Sequence, residues 1–147
     1  MPVRAPRFDH GDMGLSDHRE TARRLAALPA FSGCTARDLD DLARHSYRSS
    51  VPANWPLIHQ DTPADACYVI LDGAAVVRIN GDDVATLGGG SIVGELALAT
   101  GRLRNATVTS TEPLDLLHLD VDQFRRLLER RPTLRASLLA RLTAATA

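Results

Sequence analysis

Between residues 47 and 119 the chain never runs more than a few residues without a turn signal, which leaves little room for a long helix. PANW, QDTPAD, LDGA, INGD and LGGG punctuate this stretch, and the segments between them drift toward a period of two. The expectation is an all-β middle. Its best-specified piece is AAVVRINGDDVATL, because Asn80-Gly81 tolerates the positive φ values of a two-residue hairpin turn. Counting outward from that turn pairs Ile79 with Asp82, Arg78 with Asp83, and Val77 with Val84. Arginine would then face aspartate on one side of the ribbon, and the two valines would form an apolar cross-strand pair on the other.

The flanks follow a different rhythm. From Asp17, DHRETARRLAALPAF places Leu25 and Leu28 on one side and charges on the other until Pro29 stops the pattern. Thr35 opens TARDLDDLARHS, where its hydroxyl can cap a helix and Asp38 can bond back in an aspartate version of the capping box; Leu39 and Leu42 would face inward. After Leu119, Asp120 can cap VDQFRRLLERR, in which Val121, Phe124, Leu127 and Leu128 keep helical spacing, and Arg130 and Arg131 suit the C-terminal end. Pro132 fits the first turn of one more helix, with Leu134, Leu138, Leu139 and Leu142 as its stripe. The predicted fold class is α+β, mainly β, with a barrel or sandwich flanked by N-terminal and C-terminal helices. Residues 1–16 carry Pro2, Pro6, Gly11 and Gly14 among polar groups and are expected to form a flexible arm. The remainder, 17–147, reads as one domain.

Several function classes fall away on composition. With 17 basic against 18 acidic side chains and a formal charge of -1, no bulk field draws the chain to nucleic acid or an anionic membrane. The N-terminus has no apolar core of the kind a signal peptide needs, and no run approaches the ~20 residues of a membrane span, so a cytoplasmic location is expected. Cys34 and Cys67 stand far apart without a third thiol, and His10, His18, His45, His59 and His118 are scattered. No metal is expected on this ligand count.

The chemistry concentrates in GSIVGELALATGRLRNATV. Gly94 lets backbone approach a ligand closely. The amides of Glu95, Leu96 and Ala97 would open a short helix, where unsatisfied N–H groups and the helix dipole favour an anion. Arg104 can return to the same spot, and its planar fork can hold two phosphate oxygens. A carboxylate at Glu95 would be repulsive beside a phosphate unless it faces a donor, and a ribose hydroxyl is one.

GELALATGRLRNATV resembles the phosphate-binding cassette of cyclic-nucleotide-binding domains, as in protein kinase A regulatory subunits and bacterial catabolite-activator proteins. The likeness is ungapped over 94–108, and weaker similarity extends from LPAF through YVILDGAAVV to the helix holding Phe124 and Pro132. The resemblance implies a double-stranded β-helix, or jelly-roll, barrel and a regulatory sensor that is not an enzyme. It also implies that Glu95 takes the ribose 2′-hydroxyl, that Arg104 takes the cyclic phosphate, and that Gly94, Leu96, Ala97 and Ala106 shape the backbone around it. Val77 and Val84 would flank the purine.

Three positions depart from the family pattern. Asn54 and Asp61 stand where relatives usually carry glycine in two early turns, but both residue types tolerate left-handed backbone, so the turns are expected to hold. Asn105 follows the arginine where a small residue is usual; its amide could bond a phosphate oxygen or a guanine edge. Cyclic AMP is the expected ligand, with cyclic GMP as the alternative and weak discrimination between them, since the chain stops just short of the position from which the family's long C-terminal helix caps the base. The expected protein partners are an effector chain or a second copy meeting through the C-terminal helix. A degenerate member kept as an interaction scaffold is the alternative. A cupin-type metalloenzyme would need histidines converging from adjacent strands, and His59 and His118 are isolated.

Overall fold

In the computed structural model, which describes residues 15–139, the turn-rich middle becomes two four-stranded sheets. The first runs β1 (Tyr47–Val51), β8 (Leu114–Asp120), β3 (Ala66–Asp72) and β6 (Ile92–Val93); the second runs β2 (Pro56–Ile58), β7 (Thr107–Ser110), β4 (Ala75–Ile79) and β5 (Asp82–Leu87). Every strand pair is antiparallel. Before the strands come α1 (Leu15–Ala26), a 3-10 turn (Pro29–Phe31) and α2 (Ala36–Arg44). The short α3 (Glu95–Thr100) interrupts the strands between β6 and β7, and α4 (Val121–Arg130) and α5 (Pro132–Leu139) come after them. The fold is a mainly β jelly roll flanked by helices.

Two cores explain why the central strands read as apolar runs. Along β3, Cys67, Val69 and Leu71 face the helices, whereas Ala66, Tyr68 and Ile70 face the other sheet. Along β8, Leu117 and Leu119 join the first core and Leu114 and Leu116 the second. A strand covered on both faces loses the polar alternation of a half-solvated one. The helices are set by their caps. Thr35 Oγ1 accepts from the Asp38 amide and Asp38 in turn accepts from the Thr35 amide, while Asp120 and Gln123 exchange the same pair at the head of α4. Phe124, Leu127 and Leu134 then bury fully.

Some expectations need correction. The first helix begins at Leu15, two positions into the expected arm, and Pro29 opens a 3-10 turn as well as ending the helix before it. Residues 1–14 of that arm, and Leu142 of the expected stripe, lie outside the described residues. The hairpin keeps Ile79 opposite Asp82 and Arg78 opposite Asp83, and Arg78 Nε donates to Asp83 Oδ1 at 2.6 Å. The register then shifts between Val77 and Arg78, so Val77 pairs with Ala85 and not with Val84. Counting from the turn assumes an unbroken ladder; a bulge inserts one unpaired residue, here Val84, and changes every pairing beyond it. Val77 is buried between the sheets, whereas Val84, on an edge strand, is 50% exposed. No described helix is long and apolar enough to cross a membrane.

Candidate functional site

The site forms where α3 interrupts the strands. Gly94 sits at φ +86°, in the left-handed region, as the residue before α3. A Cβ there would collide with Arg104 Nη1 and crowd Ile58 Cδ1 at 3.0 Å, so both backbone shape and space require glycine. α3 has six residues and ends at another left-handed glycine, Gly101 at φ +70°. The chain then doubles back and brings Arg104 under the helix start.

Arg104 is 5% exposed. A buried guanidinium needs acceptors, and backbone supplies them: Nη1 donates to the Gly94 carbonyl at 3.0 Å and Nη2 to the Ala66 carbonyl at the start of β3. The Asp65 carboxylate lies 3.5 Å from Nη2 at the solvent side. The main chain of Arg104 is held as firmly, since its amide donates to the Thr62 carbonyl at 2.9 Å and its carbonyl accepts from the Asp61 amide at 2.8 Å. Asp61 adopts φ +64° to make that pairing, and Asn54 adopts φ +61° in the earlier turn, where its amide donates to the Ser110 carbonyl. Both turns hold without glycine.

A cleft opens beside this guanidinium, lined by Ile58, Val93, Gly94, Ala97, Arg104, Asn105, Ala106 and Val108. At about 20 Å³ it admits one water-sized group. Ala97 and Ala106 keep its walls low, and Asn105 is exposed at its rim. Glu95, the first residue of α3, is 2% exposed. The electrostatics register both charges. Burial pushes the Cys67 thiol up, the Glu95 carboxylate adds to that and Arg104 opposes it; burial and Asp65 push the Tyr68 phenol up to about 12, again against Arg104.

The structure thus brings Gly94, Ala97, Arg104, Asn105 and Ala106 together around the cleft; Glu95 and Leu96 stand in the first turn of α3 and are not among its lining residues. Val77 lies one strand removed; its partner on β7, Val108, lines the cleft in its place. Val84 is not among the lining residues. Sequence reading missed Ile58, Val93, Val108, Asp65 and the Ala66 carbonyl. The apolar three carry no chemical signature, and a carbonyl acceptor is invisible in a residue's identity. Asp65 had a signal, as an acidic residue closing the QDTPAD turn.

Residues 48–131 match the family model of the cyclic nucleotide-binding domain. An uncharacterised NTE family protein of Mycobacterium tuberculosis is 29% identical over 116 residues, 78% of this chain and 20% of that protein. The catabolite activator protein of Thermus thermophilus superimposes with a TM-score of 0.71 at 26% identity, over 79% of this chain and 57% of that one. The regulatory domain of Toxoplasma gondii protein kinase A, crystallised with cAMP, does so with a TM-score of 0.74 at 20% identity, over 88% of this chain and 51% of that one. The chain therefore spans a fifth of the length of that curated relative and about half of each solved structure. With a family model covering more than half of its residues, and a cleft built from the segment that carries the likeness, the chain belongs to the cyclic nucleotide-binding domain family.

Proposed function

We propose that residues 17–147 act as a non-catalytic sensor of a cyclic nucleotide, cyclic AMP before cyclic GMP, in the cytoplasm, and report occupancy to an effector or to a second copy of the chain. The observation that carries this reading is a buried guanidinium, Arg104, held by backbone carbonyls beside the first turn of α3. Two of its five N–H groups answer those carbonyls, and others remain for phosphate oxygens. The amides of Leu96 and Ala97 add donors from the helix start, and the Glu95 carboxylate takes the ribose 2′-hydroxyl. That the Toxoplasma relative was crystallised with cAMP supports the choice of ligand class. Among the cleft-lining side chains only Arg104 and Asn105 are polar, so the purine meets few donors and base discrimination stays below about tenfold, or 1.4 kcal/mol.

Calorimetric titration with both nucleotides tests the reading. The wild-type chain should bind cyclic AMP, and Arg104→Leu should weaken binding by about 1.5–3 kcal/mol for each charged hydrogen bond lost. Asn105→Ala should tilt the ratio toward cyclic AMP. The Tm should rise with cyclic AMP, by the equivalent of about 2.7 kcal/mol at a hundredfold excess over Kd, and stay put with 5′-AMP. Silence from a folded wild-type chain would favour the scaffold role instead.

A further inference from the structure

A charged cluster on the helical side of the molecule takes no part in the nucleotide cleft. Asp41 of α2 is 9% exposed, a costly place for a carboxylate without partners. Arg131 Nε donates to its Oδ2 at 3.0 Å, Arg130 Nη2 lies 3.3 Å from the same oxygen, and His45 Nδ1 sits 2.9 Å from Oδ1. Arg131 also reaches Asp38 at 3.8 Å, and Asp38 already closes the capping box of α2. Both arginines stand at the elbow between α4 and α5, Arg130 as the last residue of α4 and Arg131 as its cap, directly before Pro132. Just past the elbow, Leu134 is fully buried and Ser137 Oγ lies 3.3 Å from Cys34 Sγ, in the loop before α2. The elbow is therefore pinned to α2 and its approach.

The pinned elbow shares its core with the cassette. Leu98 of α3, which packs on β3, belongs to the same buried cluster as Leu39 and Leu42 of α2, Phe124 and Leu127 of α4 and Leu134 of α5, with Cys67, Val69 and Leu71 of β3 also in it. A six-residue helix between two left-handed glycines has too few internal bonds to hold its own conformation, so packing through Leu98 decides where its amides and Ala97 lie. We infer that Asp41 is a positioning residue for the nucleotide site: by tying the α4–α5 elbow to α2 it holds this core against Leu98 and sets α3 in place before ligand arrives. It touches no ligand. A cassette ordered in advance spares the ordering cost that binding would otherwise meet. The inference rests on the nucleotide-binding reading above.

Asp41→Asn and the milder Arg131→Gln test it, with Asp115→Asn as the control. Asp115 anchors a second ion network, to Arg24 of α1 and Arg48 of β1, away from the elbow. Cyclic AMP affinity should fall at least about tenfold in Asp41→Asn, and in the same direction in Arg131→Gln, while Asp115→Asn stays within about twofold despite its own loss of stability. Hydrogen exchange without nucleotide gives a second readout: amides of residues 95–100 should exchange faster in Asp41→Asn and Arg131→Gln, and at the wild-type rate in Asp115→Asn. Equal affinity losses in all three variants, or unchanged exchange in α3, would overturn the inference, and Arg131→Gln decides if Asp41→Asn does not fold. A folded wild-type chain that ignores cyclic AMP would instead overturn the nucleotide reading and leave exchange in α3 to decide this one.

Discussion

Gly94 and Arg104 depend on each other more closely than their roles toward a ligand require. The glycine's left-handed backbone turns its carbonyl onto Arg104 Nη1, and the missing side chain leaves the space that this nitrogen fills. An alanine at 94 meets two penalties at once, about 1–2 kcal/mol for left-handed backbone and a displaced guanidinium. Gly94→Ala should therefore lose roughly that much stability in urea unfolding and at least about tenfold in cyclic AMP affinity. Gly101→Ala makes the contrast, since nothing lies within 4 Å of a Cβ there; it should show the backbone cost with a smaller loss of affinity. The segment from Gly94 to Ala106 stood out in the sequence through the combination and spacing of its residues and their likeness to the family pattern, not through any one residue. Asp65 and the Ala66 carbonyl did not, because they act as acceptors supplied by a strand end that only the fold brings near.

At the scale of elements, the β4–β5 hairpin separates local from non-local information. Asn80 and Gly81 adopt φ +52° and +85°, as the turn chemistry requires, and the two pairs nearest the turn hold. One step further the bulge takes over, because Val77 is also committed to Val108 across β7 and to the core between the sheets. The two valines should then behave very differently. Val77→Ala, which deletes two buried methyl groups, should cost about 2 kcal/mol, whereas Val84→Ala should stay within about 0.5 kcal/mol. Urea unfolding at unchanged m-value checks both, and comparable losses would restore the unbulged register. The helices posed no such problem. Thr35 with Asp38, and Asp120 with Gln123, specify their starts within four residues of chain, so no distant strand can override them.

Across the whole molecule, Asp115 joins the N-terminal helix to the first sheet. Burial alone would raise its carboxyl pKa, but hydrogen bonds from Arg48 and Arg24, together with their charges, outweigh burial and hold the group below the usual carboxylate range. A carboxyl depressed in the folded state contributes stability that is present above its unfolded pKa and lost as pH falls through its folded one. Asp115→Asn should accordingly unfold more readily than wild type at neutral pH, and the gap should narrow below about pH 4 and close as acid protonates the native carboxyl. A gap that persisted unchanged into strong acid would mean that the Asp115 charge contributes nothing.

Beyond what its likeness to the family pattern pointed to, in the turns at Asn54 and Asp61 and in the segment from Gly94 to Ala106, the sequence by itself determined what short-range chemistry sets: the capped helices and the Asn-Gly turn. Those features depend on a residue and its nearest neighbours, so they survive being read in isolation. Only the tertiary structure decided which strands pair across long connections, where the bulge falls, which apolar residues line the cleft, and that Asp41 of α2 meets Arg130 and Arg131 from the far end of the chain. A valine or an aspartate carries no mark of its partner. The partner is selected by which buried surfaces and charges can all be satisfied together, and that is a property of the packed molecule.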